Sequence, residues 1–327
     1  MQRLVTSAFA AVLAAAGLVL VQASGAVAVD YPTRPPHIIV GYPAGGTTDI
    51  LARLFGDWLS KRLGQQFIVE NRPGAGNNLA TESVVKAAAD GYTLLLVNPA
   101  NAVNASLYKK LNFVFLRDID PVVGLIRVPN VMEVHPSVPV KTVAEFIAYV
   151  KANPDKVNIA SSGNGTSIHL SGELFKSMTG VQMTHVPYKG GGLALTDVIA
   201  GQIQVVFATS QTGLAQAKAG RVRALAVTTP QRIAAEPDLP TIAEAGVPGY
   251  EVTNWHGLIG PKSIPRAVVD RLNGEMNKIL KAKEMEERLQ GDGVSPSGGT
   301  PEQLAEQIRK EIEQWRQVVT RAGVKIN

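Results

Sequence analysis

Short apolar runs alternate with helical stripes along most of the chain. His37-Ile38-Ile39-Val40 is a four-residue run that stops at Gly41, the mark of a buried strand. In 50–63 the apolar positions Ile50, Leu51, Leu54, Phe55, Trp58 and Leu59 recur at helical spacing. The same reading predicts strands at 67–69, 93–97, 131–134, 157–160, 183–186, 205–208 and 224–227. Helices are expected at 79–88, 143–152 (capped by Thr142), 168–178 and 193–200. The tail reads as two charged helical stretches, 266–289 and 302–322, the second opened by Thr300-Pro301. Their charges are the pattern of solvated helix faces. Repeated strand–helix alternation argues for an α/β fold with mostly parallel sheets. No low-complexity linker divides the chain, so two lobes would be joined by chain crossings within strands. In open α/β sheets, ligands sit beyond the carboxyl ends of strands.

Two glycine loops occupy that position. Tyr42-Pro43-Ala44-Gly45-Gly46-Thr47-Thr48-Asp49 follows the first strand and opens the first helix. Ser161-Ser162-Gly163-Asn164-Gly165-Thr166-Ser167 has the same context before the 168–178 helix. Each loop alone is also what a tight turn with a capped helix looks like. Taken together, one in each expected lobe, they provide outward-pointing N–H groups that favour an anion. Four hydrogen bonds to a charged group, at roughly 1.5–3 kcal/mol each, suffice for micromolar affinity after the costs of binding. Thr47, Thr48, Ser161 and Thr166 are candidate hydroxyl donors. Gly46→Val and Gly165→Val are both expected to abolish binding with the fold intact. A third segment, Val186-Pro187-Tyr188-Lys189-Gly190-Gly191-Gly192, either lines the cleft through Tyr188 and Lys189 or is a solvated turn. His169 either orients the second loop or meets the ligand, or is simply a buried structural histidine. Asp49 reads first as a helix-end charge and second as a receiver of a ligand ammonium.

The N-terminus changes the picture of location. Arg3 is the only charge before Asp30, the stretch 8–20 is apolar, and Ser24-Gly25-Ala26-Val27-Ala28 ends it. This is the layout of a secretory signal peptide cut after Ala28. The apolar centre is shorter than the roughly 20 residues that a membrane span needs. A chain of 327 residues with 45% hydrophobic content is long enough for two domains and ample cores. The absence of cysteine excludes disulfides, thiolate metal sites, a catalytic thiol and a lipid-modified cysteine. The formal charge of +5 is scattered, with few aromatics among the basic residues, which argues against a nucleic-acid surface.

Other chemistry finds little support. There is no P-loop, no complete dinucleotide fingerprint, no Gly-x-Ser-x-Gly elbow and no His-Glu-x-x-His zinc motif. Neither a cofactor nor a metal is expected. Trp255-His256-Gly257 either lines a lobe junction or packs in the core.

Five motifs in order carry a family resemblance: 42–49; Val69-Glu70-Asn71-Arg72-Pro73-Gly74-Ala75-Gly76-Asn77; Ala89-Asp90-Gly91-Tyr92-Thr93-Leu94; His185-Val186-Pro187-Tyr188-Lys189-Gly190; and Pro237-Asp238-Leu239-Pro240-Thr241-Ile242-Ala243-Glu244-Ala245-Gly246. With these the chain resembles the Bug (TctC-like) periplasmic solute-binding proteins of tripartite tricarboxylate transporters, from Tyr31 to the C-terminal helix. The resemblance implies a two-lobed type II Venus-flytrap fold. By the family pattern, 1–28 is the signal peptide, 29–126 plus 252–327 one lobe, and 127–251 the other. It implies a protein with no catalytic residue that captures a small carboxylate (di- or tricarboxylate, acidic amino acid or aromatic acid) and delivers it to a membrane permease; a monomer suits that mechanism. The loops 42–49 and 161–166 would grip the carboxylate. The alternatives are an exported enzyme acting on a carboxylated substrate and a ligand-sensing module of a signalling receptor.

Overall fold

Helices and strands alternate from β1 (His37–Val40) onward, and the apolar runs become strands, buried except at the two ends of the strand order, where Ile68–Asn71 and Thr184–Pro187 stay partly exposed. In the computed structural model, residues 30–108 and 110–322 are described. The expected signal peptide lies outside them. From Tyr31 onward the described residues form one compact unit. Among the described residues no helix is long and apolar enough to cross a membrane.

The first half is built on β1, β2 (Ile68–Asn71) and β3 (Thr93–Val97), with α1 (Thr47–Leu63), α2 (Asn78–Val85) and α3 (Pro99–Leu107) following them in turn. The second half holds α4 (Val143–Ala152), β5 (Asn158–Ser161), α5 (Ser167–Thr179), β6 (Thr184–Pro187), α6 (Gly191–Ile199), β7 (Val205–Thr209), α7 (Ser210–Lys218) and β8 (Arg223–Val227). Two long strands connect the halves. These are β4 (Ile119–Val134) and β9 (Thr253–Pro261). The strand order is β2-β1-β3-β9-β4-β7-β5-β6. β1 runs parallel to β2 and β3, and β5 runs parallel to β6 and β7. The antiparallel pairs among the described residues all involve β4 or β9.

β4 shows how one chain serves two sheets. Its register pairs Ile119 to Pro129 with β9, then Asn130 to Val134 with β7. The partner change falls at Pro129-Asn130, where proline has no N–H to give a ladder. The sequence pattern shows only 131–134 of this strand. Pro121, Gly124 and Arg127 interrupt the earlier part, and β9 pairs with it through register shifts near Pro121 and Gly124.

One core cluster fills the second half around Phe146, Phe175, Phe207 and Tyr250. Another joins β1, β3 and β9 to α10 (Pro301–Ala322) through Ile39, Val97, Ile259, Leu304 and Ile308. A small cluster of Val103, Leu107, Leu170 and Trp315 packs α3 against α5 and α10. The helical stretch expected at 266–289 is two helices, α8 (Arg266–Leu280) and α9 (Lys283–Gly291). No glycine or proline marks the break at Lys281-Ala282. The break lets Met276 and Ile279 of α8, and Met285 and Leu289 of α9, all bury. Thr142 caps α4 by accepting the Glu145 N–H at 3.1 Å, as its position predicts.

Candidate functional site

The carboxyl ends of several strands face one cavity of about 280 Å³. Each such strand leads into a helix, directly or through a short loop, so the cavity collects helix N-termini. Gly46, Thr47 and Thr48 belong to the start of α1, and Asn98 to that of α3. Thr166 and Ser167 open α5, Gly190 and Gly191 open α6, and Thr209 opens α7. The N-caps of α1, α6 and α7 make no side-chain cap hydrogen bond. Their first-turn N–H groups are the orphan donors that an anion can satisfy, at the positive end of each helix dipole.

Among the described residues, no Lys, Arg, Asp or Glu lines the cavity. Its one ionisable imidazole, His256, is pushed by burial to a pKa of about 3 and is neutral. The site therefore offers fixed dipoles and hydroxyls rather than a formal charge. Its atoms favour a small anion, and a neutral wall spares the cost of a desolvated cation.

The first loop lines this cavity. Tyr42, Pro43, Ala44, Gly45, Gly46, Thr47 and Thr48 all line it. Tyr42 donates to Asn98 Oδ1 at 3.3 Å. Thr48 Oγ1 lies 3.2 Å from His256 Nε2. Across the cavity, Thr47 Oγ1 is 2.6 Å from Thr209 Oγ1.

Asp49 is beside the loop rather than on the cavity wall. Its carboxylate accepts from Gly45 N–H at 2.9 Å, from the Arg53 guanidinium at 2.8 and 3.1 Å, and from Asn71 at 2.9 Å. Burial alone raises its pKa, but these bonds outweigh it and hold the carboxyl below its ordinary value. Asp49 thus ties the loop to α1 and to the end of β2. Asp49→Ala is expected to cost about 2–3 kcal/mol and lower the melting temperature by roughly 5 °C. An unchanged melting curve would remove this role.

The second loop divides. Thr166 lines the cavity, whereas Ser161, Gly163, Asn164 and Gly165 do not. Ser161 ends β5 fully buried, and its Oγ is 2.6 Å from His185 Nε2. That is the spacing of a nucleophile and its base, but the pair lies behind the cavity wall. His169 is stacked on His185 with ring centroids 4.1 Å apart, and its Nδ1 accepts the Gly165 N–H at 3.1 Å. Burial first, and His185 second, push His169 to a pKa of about 3. His169 therefore supports the loop from behind. Tyr188 packs against the core of the second half and donates to Asp197 at 2.5 Å. The glycines that follow it, Gly190 to Gly192, do reach the cavity.

Asn98, Thr209, Thr212 and Asn254 also line the wall, and no sequence motif marks them. Asn98 and Thr209 stand at strand–helix junctions without glycine, so only their place after a strand marks them. Asn254 and His256 alternate with Trp255 on β9. The two polar residues face the cavity and Trp255 enters the core.

Residues 51–324 match the profile described as "Tripartite tricarboxylate transporter family receptor". Protein BugT of Bordetella pertussis is 35% identical over 319 residues, covering 96% of this chain and 98% of its own. The structure of Rpa4515 of R. palustris with adipate superposes with a TM-score of 0.88 at 38% identity, covering 90% of this chain and 99% of that one. MatC of Rhodopseudomonas palustris with bound malate gives 0.84 at 32% identity, covering 88% and 100%.

Proposed function

Because the chain belongs to the tripartite tricarboxylate transporter receptor family, we propose that it is a solute-binding protein that captures a small carboxylate between its two halves. The observation that carries this reading is the cavity itself. Several helix N-termini, three without side-chain caps, meet in a space that no charged side chain among the described residues lines. Loops 42–48 and 162–167, together with Gly190 to Gly192 and Thr209, form the grip. Asp49, Ser161, Gly163, Asn164, Gly165, His169 and Tyr188 hold those loops in place. The two lobes are 29–126 plus 252–327 and 127–251. The partner changes of β4 at Pro129-Asn130 and the start of β9 at Thr253 support these boundaries. The ligand draws the lobes together through contacts it makes only in the closed form. The protein acts as a monomer in the periplasm after cleavage behind Ala28, delivers its ligand to a membrane permease, and catalyses nothing.

The solved relatives hold adipate and malate, so C4 to C6 dicarboxylates are the first ligands to test here. A thermal-shift titration with adipate, malate, citrate, aspartate and benzoate is expected to stabilise the protein with one class. The gain is about 2.7 kcal/mol at a hundredfold excess over Kd. Silence with every acid, both before and after unfolding and refolding to strip copurified ligand, would overturn the carboxylate reading.

A further inference from the structure

Resting on the binding-protein reading and deepening it, we infer that Thr209 is a positioning residue that holds the two halves of the cleft together before ligand arrives and aims the Thr47 hydroxyl. Thr47 and Thr209 are 162 positions apart in the chain, yet their Oγ1 atoms meet at 2.6 Å. Both residues are buried. Thr209 is the N-cap of α7, but its side chain makes no cap hydrogen bond. A threonine at that position ordinarily bonds its own helix. Here the hydroxyl reaches across the cavity instead.

A third hydroxyl extends the bond into a chain. Thr212 Oγ1 is 2.8 Å from Thr209 Oγ1 and 3.3 Å from the Thr209 carbonyl oxygen. Thr209 therefore engages Thr47 across the cavity and Thr212 on α7 together, and the first-turn N–H groups of α1 stay available as donors for the anion. The bond uses protein atoms only, so it favours the joined arrangement of the two halves whether or not a ligand is bound. Apparent affinity scales with the fraction of protein already competent to bind. The apolar cluster of Val103, Leu107, Leu170 and Trp315 also joins the halves, but such contacts are not directional. The threonine bond fixes the alignment.

The test begins without ligand. Melting temperatures of the wild type, Thr47→Val, Thr209→Val and the double variant form a cycle. The expected result is that each single change lowers the melting temperature and the double change lowers it no further than the larger single one. Additive losses would overturn the proposal. Small-angle scattering of the empty protein is expected to give a larger radius of gyration for Thr209→Val than for wild type, with Thr209→Ser close to wild type. An unchanged radius would also overturn it. With adipate or malate as the titrant, Thr209→Val is expected to bind about 2- to 10-fold more weakly, and Thr209→Ser to restore affinity. If neither acid binds wild type, the dicarboxylate reading fails while the cycle and the scattering still decide the role of Thr209.

Discussion

Gly46→Val is expected to raise the dissociation constant for the bound acid at least a hundredfold while leaving the melting temperature near that of the wild type. Gly46 has an ordinary backbone, with φ at −84° and ψ at 167°, so a side chain there carries no conformational strain. A Cβ built on it has one neighbour within 4 Å, the Pro43 carbonyl at 3.9 Å. A side chain at this position therefore starts from open space. It stands at the cavity wall beside the uncapped first turn of α1 and keeps an anion from those N–H groups. Loss of two hydrogen bonds to a charged group is worth about 3–6 kcal/mol, which is a hundredfold or more. Calorimetric titration together with a melting curve reads both parts. Wild-type affinity in this variant would place the ligand elsewhere.

The matching change in the second loop behaves differently, and the structure corrects the expectation that its fold would survive intact. Gly165 has φ at +79°, a region that valine avoids. A Cβ there would lie 3.0 Å from Leu107 Cδ2, 3.2 Å from Asn104 Oδ1 and 3.3 Å from Val103 Cγ1. Gly165→Val therefore presses the second loop against α3, where the two halves meet. Strain and overpacking together cost about 2–5 kcal/mol, so the melting temperature falls along with affinity.

The two loops also show how far the sequence reaches. Glycine after a strand and before a helix, with hydroxyls following, located both loops. For the first, every residue from Tyr42 to Thr48 is on the wall. For the second, the motif could not tell which way each side chain points. β5 ends one residue later than its apolar run predicts, and Ser161 belongs to the buried strand while Ser162 meets the cavity. β9 left almost no trace. Its run Asn254-Trp255-His256-Gly257 puts polar groups where a buried strand would show apolar ones, because those positions face the site and not the core. Local rules fail at functional positions for this reason. Asn98 and Thr209 are legible through the general rule about strand ends, which holds at strand–helix junctions with or without glycine.

Glu133→Gln is expected to stabilise the protein strongly at alkaline pH and hardly at all near pH 4.5. Glu133 lies on β4 opposite Val206 of β7 and Ala224 of β8, and it is fully buried. Neither carboxyl oxygen has a hydrogen-bond partner among the described residues. α7 accommodates the group with Gly213, where a Cβ would come within 2.4 Å of Oε1. Burial pushes the carboxyl pKa from 4.5 up to about 8. The folded protein therefore keeps its proton at pH values where the unfolded chain has lost it. Stability from this group is full below about pH 4.5 and is lost as pH rises towards 8, because over that window the native state binds more protons. The loss is on the order of several kcal/mol, or about 5–10 °C in melting temperature. Glutamine keeps the shape of the neutral acid and does not ionise, so the variant escapes this loss. Melting curves of both proteins at pH 4.5 and pH 8 isolate the effect, since every other group titrates equally in the two. A constant difference across pH would mean that Glu133 is paired or hydrated in solution, whereas a difference that opens with pH follows only from a carboxyl buried without a partner.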